Sequence, residues 1–395
     1  MRDAAKPMAQ EQSSNHFIYM NNAATAWPRA PGVADAVCAA LNAPPASAGR
    51  ATGGDTAVLG ECRSRIANLL GVSTPERIIL TSGATLSLNI AIHGLALNPG
   101  DRAVTSVFEH NSMLRPLAHI QDRAGIAVDI VGLDSSGFID SQDYETALSR
   151  APRLVALNHV SNVTGAVQNV KPLFAQARAA GAVTLLDASQ SLGHMPVNAE
   201  ELNADIVAFT GHKGLRGPAG TGGLYVAPSV DLEPVIVGGT GVRSDLRRQP
   251  EDMPLRLEAG TPNMPAFAGL AAALHWLEQY GADFMSREHA LGQRLNQGLS
   301  HIPGVRIFSA PDQTSQFPGI VSFSIQGWSV EEAGFVLSES HGIACRTGLH
   351  CAPLIHGAVG SAPRGTVRLS VSGFNTMEHV DAAIAAVEQL ASCAS

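Results

Sequence analysis

The chain is short of lysine. Only Lys6, Lys171 and Lys213 occur in 395 residues, although lysine and arginine together number 26. Arginine stays charged at any workable pH, whereas a desolvated lysine becomes a neutral nucleophile, so a reactive amine has three candidates. A surplus of positive charge is also missing: the formal net charge is -8, which argues against a broadly basic nucleic-acid surface. No apolar run reaches the roughly 18 to 20 residues of a membrane span. Met1 to Asn15 is polar and carries no apolar core of signal-peptide length. The expectation is a soluble, cytoplasmic protein with neither nucleic acid nor membrane as partner. Cysteine is sparse as well: Cys38, Cys62, Cys345, Cys351 and Cys393 form an odd, scattered set. That is no disulfide framework; it fits a reducing compartment and leaves a free thiol available for chemistry.

What the chain does have is 45% hydrophobic residues, ample for a large core in two or three domains. After a flexible segment over 1–16, apolar strand-like runs alternate with amphipathic helical ones: strands at 77–80, 103–107, 126–131, 153–157, 183–186 and 206–209, helices between them. Such alternation predicts an α/β domain with a mainly parallel seven-stranded sheet over 17–262, with Leu224-Tyr225-Val226 as an antiparallel neighbour. Beyond Pro262 the pattern changes to helical runs at 265–280 and 283–299, then shorter strands. This reads as a smaller α+β domain over 263–395.

In a parallel sheet, ligands sit beyond the carboxyl ends of the strands. Polar residues that apolar packing does not require follow several of these ends. Thr81-Ser82-Gly83-Ala84-Thr85 opens a helix and offers free amides and hydroxyls to an anion. Glu109-His110, Asn158 to Asn162 and Asp187-Ala188-Ser189-Gln190 follow other strands, and Phe209 runs into Thr210-Gly211-His212-Lys213. A lysine there acts as a nucleophile if it is desolvated, if an aldehyde is held nearby and if an electron sink is at hand. Pyridoxal 5'-phosphate supplies the last two. Its ring nitrogen needs a carboxylate, for which Asp187 suits; its phosphate needs the 82–85 turn with Thr210 and His212; its ring face suits His110. Gly238-Gly239-Thr240-Gly241 is not a P-loop, since no Gly-Lys-Ser/Thr follows.

In these stretches, and in Tyr19 to Thr25, His159 to Gly165, Glu258 to Thr261, Arg346 to Pro353 and Arg368 to Ser370, the sequence resembles the class V aminotransferase-like, fold-type I pyridoxal-phosphate enzymes. The resemblance is to the cysteine desulfurase and selenocysteine lyase group, and within it to the SufS-like, group II type. It implies that Lys213 binds the cofactor covalently, Asp187 pairs with the pyridine nitrogen and His110 stacks on the ring. Ala84, Thr85, Thr210 and His212 would hold the phosphate, with Thr261 reaching it from the second subunit of a homodimer. Gln190 and Asn162 would contact the ring hydroxyl or the substrate side, where Asn21 and Ala23 also lie. Arg368 would clamp the substrate carboxylate. Cys351 would take the sulfur of L-cysteine as a persulfide, releasing L-alanine, with Arg346 and His350 available to lower its pKa. A separate sulfur-acceptor protein commonly serves this type. Asn21 stands where the first motif usually carries Asp, and Leu349 where many SufS-like desulfurases carry His.

Two other readings stay open on residues alone. A selenocysteine or cystine lyase, or an epimerase, would use the same scaffold with Cys351 secondary. A metal-binding protein would use Cys345, His350, Cys351 and His356, although their spacing fits no well-specified zinc pattern and no metal is expected.

Overall fold

The computed structural model describes residues 17–44, 54–309 and 319–393; the segment expected to be flexible, 1–16, lies outside them. In chain order the elements begin with β1 (Ile18–Tyr19), α1 (Val33–Asn42), α2 (Gly54–Leu69), β2 (Ile78–Thr81), α3 (Ala84–Gly94) and β3 (Arg102–Ser106). Next come α4 (Asn111–Ala124), β4 (Ala127–Val131), α5 (Ser141–Leu148), β5 (Leu154–Asn158), α6 (Val170–Ala179) and β6 (Val183–Asp187). After β7 (Ile206–Thr210) and β8 (Gly222–Val226), α7 (Met264–Ser300) leads to β9 (Val305–Ile307), β10 (Ile320–Ile325) and α8 (Val330–Glu339). The chain closes with β11 (Ile343–Ala344), β12 (Arg346–Gly348), α9 (Pro353–Ala358), β13 (Thr366–Ser370) and α10 (Met377–Ser392).

The large sheet has seven strands in the order β2-β8-β7-β6-β5-β3-β4. Only β8 runs against its neighbours β2 and β7, so the sheet is mainly parallel with one antiparallel insertion, as the pattern predicts. Successive side chains on a strand point to opposite faces, and the two cores follow that period. Val155, Leu157, Leu186, Val207 and Phe209 join one cluster, whereas Leu154, Ala156, Leu185, Ile206 and Ala208 join the other. Being buried on both faces is why β5 and β7 read as continuous apolar runs. The second sheet is antiparallel, β12-β13-β10-β9, and its core also takes in α8 and α10. Both helices open with a capping box, at Ser329 with Glu332 and at Thr376 with His379, which satisfies amides that the first turn leaves free.

Two features differ from the sequence reading. The helical runs at 265–280 and 283–299 are one helix of 37 residues. Gly281 reads as a break, since glycine costs about 1 kcal/mol in a helix interior. Here it is bridged by packing on both sides: Trp276 and Phe284 lie 5.1 Å apart edge to face, and each also packs on Phe374. Leu270 and Leu274 of α7 enter the first core, while Leu291 and Leu295 enter the core of the second sheet. The other difference is β1. It pairs in parallel with β11, and Ile18 and Met20 are buried in the second sheet's core, so the first described strand packs with the last third of the chain.

Candidate active site

The carboxyl ends of β2, β5, β6 and β7 open onto one cavity of about 310 Å³, lined among others by Gly83, Asn158, Asp187, Thr210 and Lys213. The second sheet supplies its far wall through Arg346 and Arg368, which lie directly opposite one another on β12 and β13. The expected residues Ala23, Ala84, Thr85, His110, Asn162, Gln190 and His212 all line it. Asn21 and Cys351 are one bond further out, each through an arginine, and Thr261 is exposed and outside this chain's cavity.

Lys213 sits on the turn after β7, and its two glycine neighbours are dictated by contact. A Cβ on Gly211 would collide with the Thr221 side chain, and one on Gly214 would come within 2.7 Å of the His194 ring. Burial, opposed by the Asp187 carboxylate and reinforced by Arg368 and Arg346, pulls the Lys213 amine down to about 8. Asp187 is buried at the end of β6, with one oxygen accepting from the Ser189 amide at 2.9 Å. The ring nitrogen Nδ1 of His110 accepts from the Ser112 amide at 3.0 Å and so caps α4. Burial first, then Lys213, lowers the His110 imidazole to about 4. His212, whose Nδ1 lies 3.0 Å from the Thr25 hydroxyl, is lowered to about 4 by burial, Lys213 and Arg29. Both rings are neutral at pH 7. Helix α3 begins at Gly83 without a side-chain cap, so its first amides face the cavity free for an anion. A buried carboxylate, a desolvated amine, a neutral imidazole face and an uncapped helix start converge in one cavity. This donor set fits pyridoxal phosphate.

The wall formed by the second sheet is built differently. Arg368 is fully buried; its Nη1 donates to the Asn162 carbonyl at 2.8 Å and its Nη2 to Asn21 Oδ1 at 3.2 Å. Its Nε has no partner. Burial, then the like charge of Arg346, lowers the guanidinium to about 9. Arg346 donates from Nη2 to Cys351 Sγ at 3.1 Å. The Cys351 loop is tied to the start of α4 and to the loop after β5: Asn111 N–H donates to the Cys351 carbonyl and Asn162 Nδ2 to the His350 carbonyl, each at 2.7 Å. His350 and Cys351 both have positive φ, 49° and 61°, a conformation that non-glycine residues hold only where surroundings impose it.

Three sequence expectations are sharpened. His350 does not face the thiol: its Nε2 lies 2.9 Å from the Thr366 hydroxyl, and burial and Arg368 hold it well below the usual histidine range. Arg346 alone of the two contacts Sγ. The Gln190 and Asn162 amide groups each donate to a backbone carbonyl, of Ala23 and His350 respectively, and Asn162 Oδ1 is left buried and unpaired for a ligand. Among the described residues no three of the histidines, cysteines and carboxylates group as metal ligands. Cys345 turns its sulfur towards the Gly334 carbonyl at 3.9 Å. Ser112 and the pair Ala219-Gly220 also line the cavity; Ser112 had a signal in its place two residues after His110, whereas the other two had none. No helix among the described residues is long and apolar enough to cross a membrane.

The aminotransferase class-V family model matches residues 18–383, a span that includes every residue just described. The chain belongs to the class-V aminotransferase family. Within it, the chain is similar to a probable cysteine desulfurase of Methanothermobacter thermautotrophicus, 34% identical over 343 residues, which are 85% of this chain and 84% of that one. A solved cysteine desulfurase from Thermococcus onnurineus superimposes with a TM-score of 0.87 at 32% identity, covering 95% of both chains. The cysteine desulfurase CsdA from Escherichia coli gives 0.84 at 29% identity over 96% of both. The class-V fold thus accounts for the seven-stranded sheet, the antiparallel second sheet and the cavity between them.

Proposed function

We propose that this class-V protein is a pyridoxal-phosphate-dependent cysteine desulfurase that converts L-cysteine to L-alanine and takes the sulfur onto Cys351. When bound, pyridoxal phosphate supplies the electron sink for breaking bonds at Cα and Cβ of the amino acid. The chain's own groups do the rest. Lys213 holds the cofactor and its Nζ moves the Cα proton, a task helped by an amine lowered to about 8. Asp187 pairs with the ring nitrogen, the neutral His110 ring covers its face, and the α3 start with Thr85, Thr210 and His212 takes the phosphate. Arg368 receives the substrate carboxylate on its free edge, where Nε is unpaired. Cys351 attacks the substrate sulfur as a thiolate; an S–S bond forms as the C–S bond breaks, and a reductant or acceptor later removes the sulfur.

The observation that carries this reading is the Arg346 Nη2 to Cys351 Sγ contact of 3.1 Å on the wall facing Lys213. The contact holds the thiol against an arginine that lines the same cavity as Lys213, which is where a sulfur-accepting nucleophile has to sit. The exposed Thr261, outside its own cavity, supports a homodimer in which it reaches the partner's phosphate site. The tight turn at Cys351, with Ala352 N–H on the Leu349 carbonyl at 2.9 Å, supports the SufS-like, group II type and a separate sulfur-acceptor protein. Incubation with L-cysteine, followed by mass analysis of the Cys351 peptide, tests the assignment. One added sulfur atom on Cys351 is the expected result; alanine formation with the sulfur carried elsewhere would refute the persulfide role.

A further inference from the structure

Among the described residues, the buried carboxylates have a cation in reach, with one exception. Glu288 pairs with Arg216 at 2.9 Å, Asp205 lies 3.6 Å from Arg178, and Asp187 shares the cavity with Lys213. Glu109, at 0% exposure, has no cation within ion-pair distance. Its Oε1 accepts from the Ser106 hydroxyl at 2.6 Å and from the Asn158 amide at 3.1 Å, both neutral donors, and its Oε2 has no hydrogen-bond partner. An unmatched ion in the interior is strongly unfavourable, whereas a carboxyl that keeps its proton is an ordinary buried polar group. Burial, helped by the Asp187 carboxylate and opposed by the two hydrogen bonds, raises Glu109 to about 8.

Glu109 stands just behind the cavity. It does not line it, but His110, Asn158 and Asp187 do. It precedes His110 in the chain, and the Asn158 from which it accepts is paired in register with Asp187 on β6. Ser106, its other donor, is the last residue of β3, and the Ser106 hydroxyl also accepts from the Phe108 amide at 3.2 Å. One carboxyl thus ties the end of β3 and the turn leading to His110 to the end of β5 beside Asp187. Two neighbouring carboxyls do not both ionise readily. The charge belongs on Asp187, which has Lys213 opposite.

We infer that Glu109 is a positioning residue that keeps its proton: as a neutral acid it braces His110 against the strand pair ending in Asp187 and leaves Asp187 as the anion that meets the cofactor. This inference rests on the reading of the cavity as the pyridoxal-phosphate site.

The test compares wild type with Glu109→Gln, Glu109→Ala and Ser106→Ala. The infrared difference between cofactor-stripped wild type and Glu109→Gln near pH 7 should contain the carbonyl band of a protonated carboxyl; its absence would overturn the proposal. Glutamine keeps an acceptor for Ser106 and Asn158 and carries no charge. Glu109→Gln should therefore bind pyridoxal phosphate within about twofold of wild type, with the same circular dichroism of the bound cofactor, which reports how the ring is held. Glu109→Ala should bind about tenfold more weakly and lose much of that dichroism at equal loading. Ser106→Ala removes one of the two hydrogen bonds and should move both readings the same way by less; it decides the brace if Glu109→Ala does not fold. A Glu109→Gln as impaired as Glu109→Ala would show that a charge is needed, and unchanged dichroism in both alanine variants would show that nothing is braced; either result overturns the inference. If wild type takes up no pyridoxal phosphate, the cofactor reading falls, and the infrared band still decides whether Glu109 holds its proton.

Discussion

The Arg216 and Arg368 neighbourhoods are built from similar parts to opposite ends. Around Arg216 the charges are closed. Glu288 takes its guanidinium on one oxygen and His194 Nδ1 on the other at 2.8 Å, and the Phe284 ring lies 4.7 Å from the guanidinium carbon. The cluster joins the Lys213 turn, through the Arg216 amide on the Lys213 carbonyl at 2.9 Å, to the middle of α7. Around Arg368 the charges are open: Arg346, Arg368 and Lys213 face a cavity with Asp187 as its buried carboxylate and Cys351 at its rim. Where the chain supplies both signs, the result is a strut. Where it supplies an excess of one, an anionic ligand is wanted.

The largest effect should come from removing the open charge. Arg368→Met is expected to lower kcat/KM for L-cysteine about 10³-fold, ~4 kcal/mol of transition-state stabilisation. Its thermal midpoint should hold or rise, since an uncompensated buried charge is gone; a large drop would mean that Arg368 is a strut after all. The reverse pattern is expected of Glu288→Gln. Leaving Arg216 unmatched should destabilise the fold by about 3 kcal/mol, read from the denaturant midpoint, with KM for L-cysteine little changed.

A smaller effect sharpens the electrostatics of Lys213. An amine lowered to about 8 is mostly charged at pH 7 and mostly neutral at pH 9, and only the neutral form attacks an aldehyde. Cofactor capture by the stripped protein should therefore speed up about tenfold across that interval and then level off. A lysine at its ordinary value would keep accelerating beyond pH 10. Smallest is the expected change in Arg346→Gln. Turnover of L-cysteine should fall several-fold as the Cys351 sulfur loses the donor that holds it in place. An unchanged turnover would mean that Arg346 does not position the sulfur.

The open neighbourhood was largely legible in the sequence and the closed one was not. Strand-end residues such as Asp187, Thr210 and Lys213 announce themselves because a parallel sheet buries both faces, leaving polar groups at strand ends to be explained. Glu288 gives no such signal. It sits within a helical pattern and reads as a solvated face, and its partner on the Lys213 turn is brought to it only by the fold. Gly281 misled in the same way, because local propensity pointed to a break that Trp276, Phe284 and Phe374 override. The pairing of β1 with β11 lies beyond periodicity altogether, since two residues carry too little pattern to name a partner near the other end of the chain. In the Cys351 loop the residue types were readable but their directions were not. Positive φ at His350 and Cys351 turns the imidazole towards Thr366, and only Arg346 remains at the thiol.

The central claim is that sulfur leaves L-cysteine onto Cys351, and parallel product assays of wild type and Cys351→Ala test it most directly. With L-cysteine and a reductant, wild type should release alanine and sulfide in equal amounts. Cys351→Ala should bind the cofactor with the same visible spectrum and lose at least about 10²-fold in turnover. Full-rate alanine release by Cys351→Ala would contradict the account.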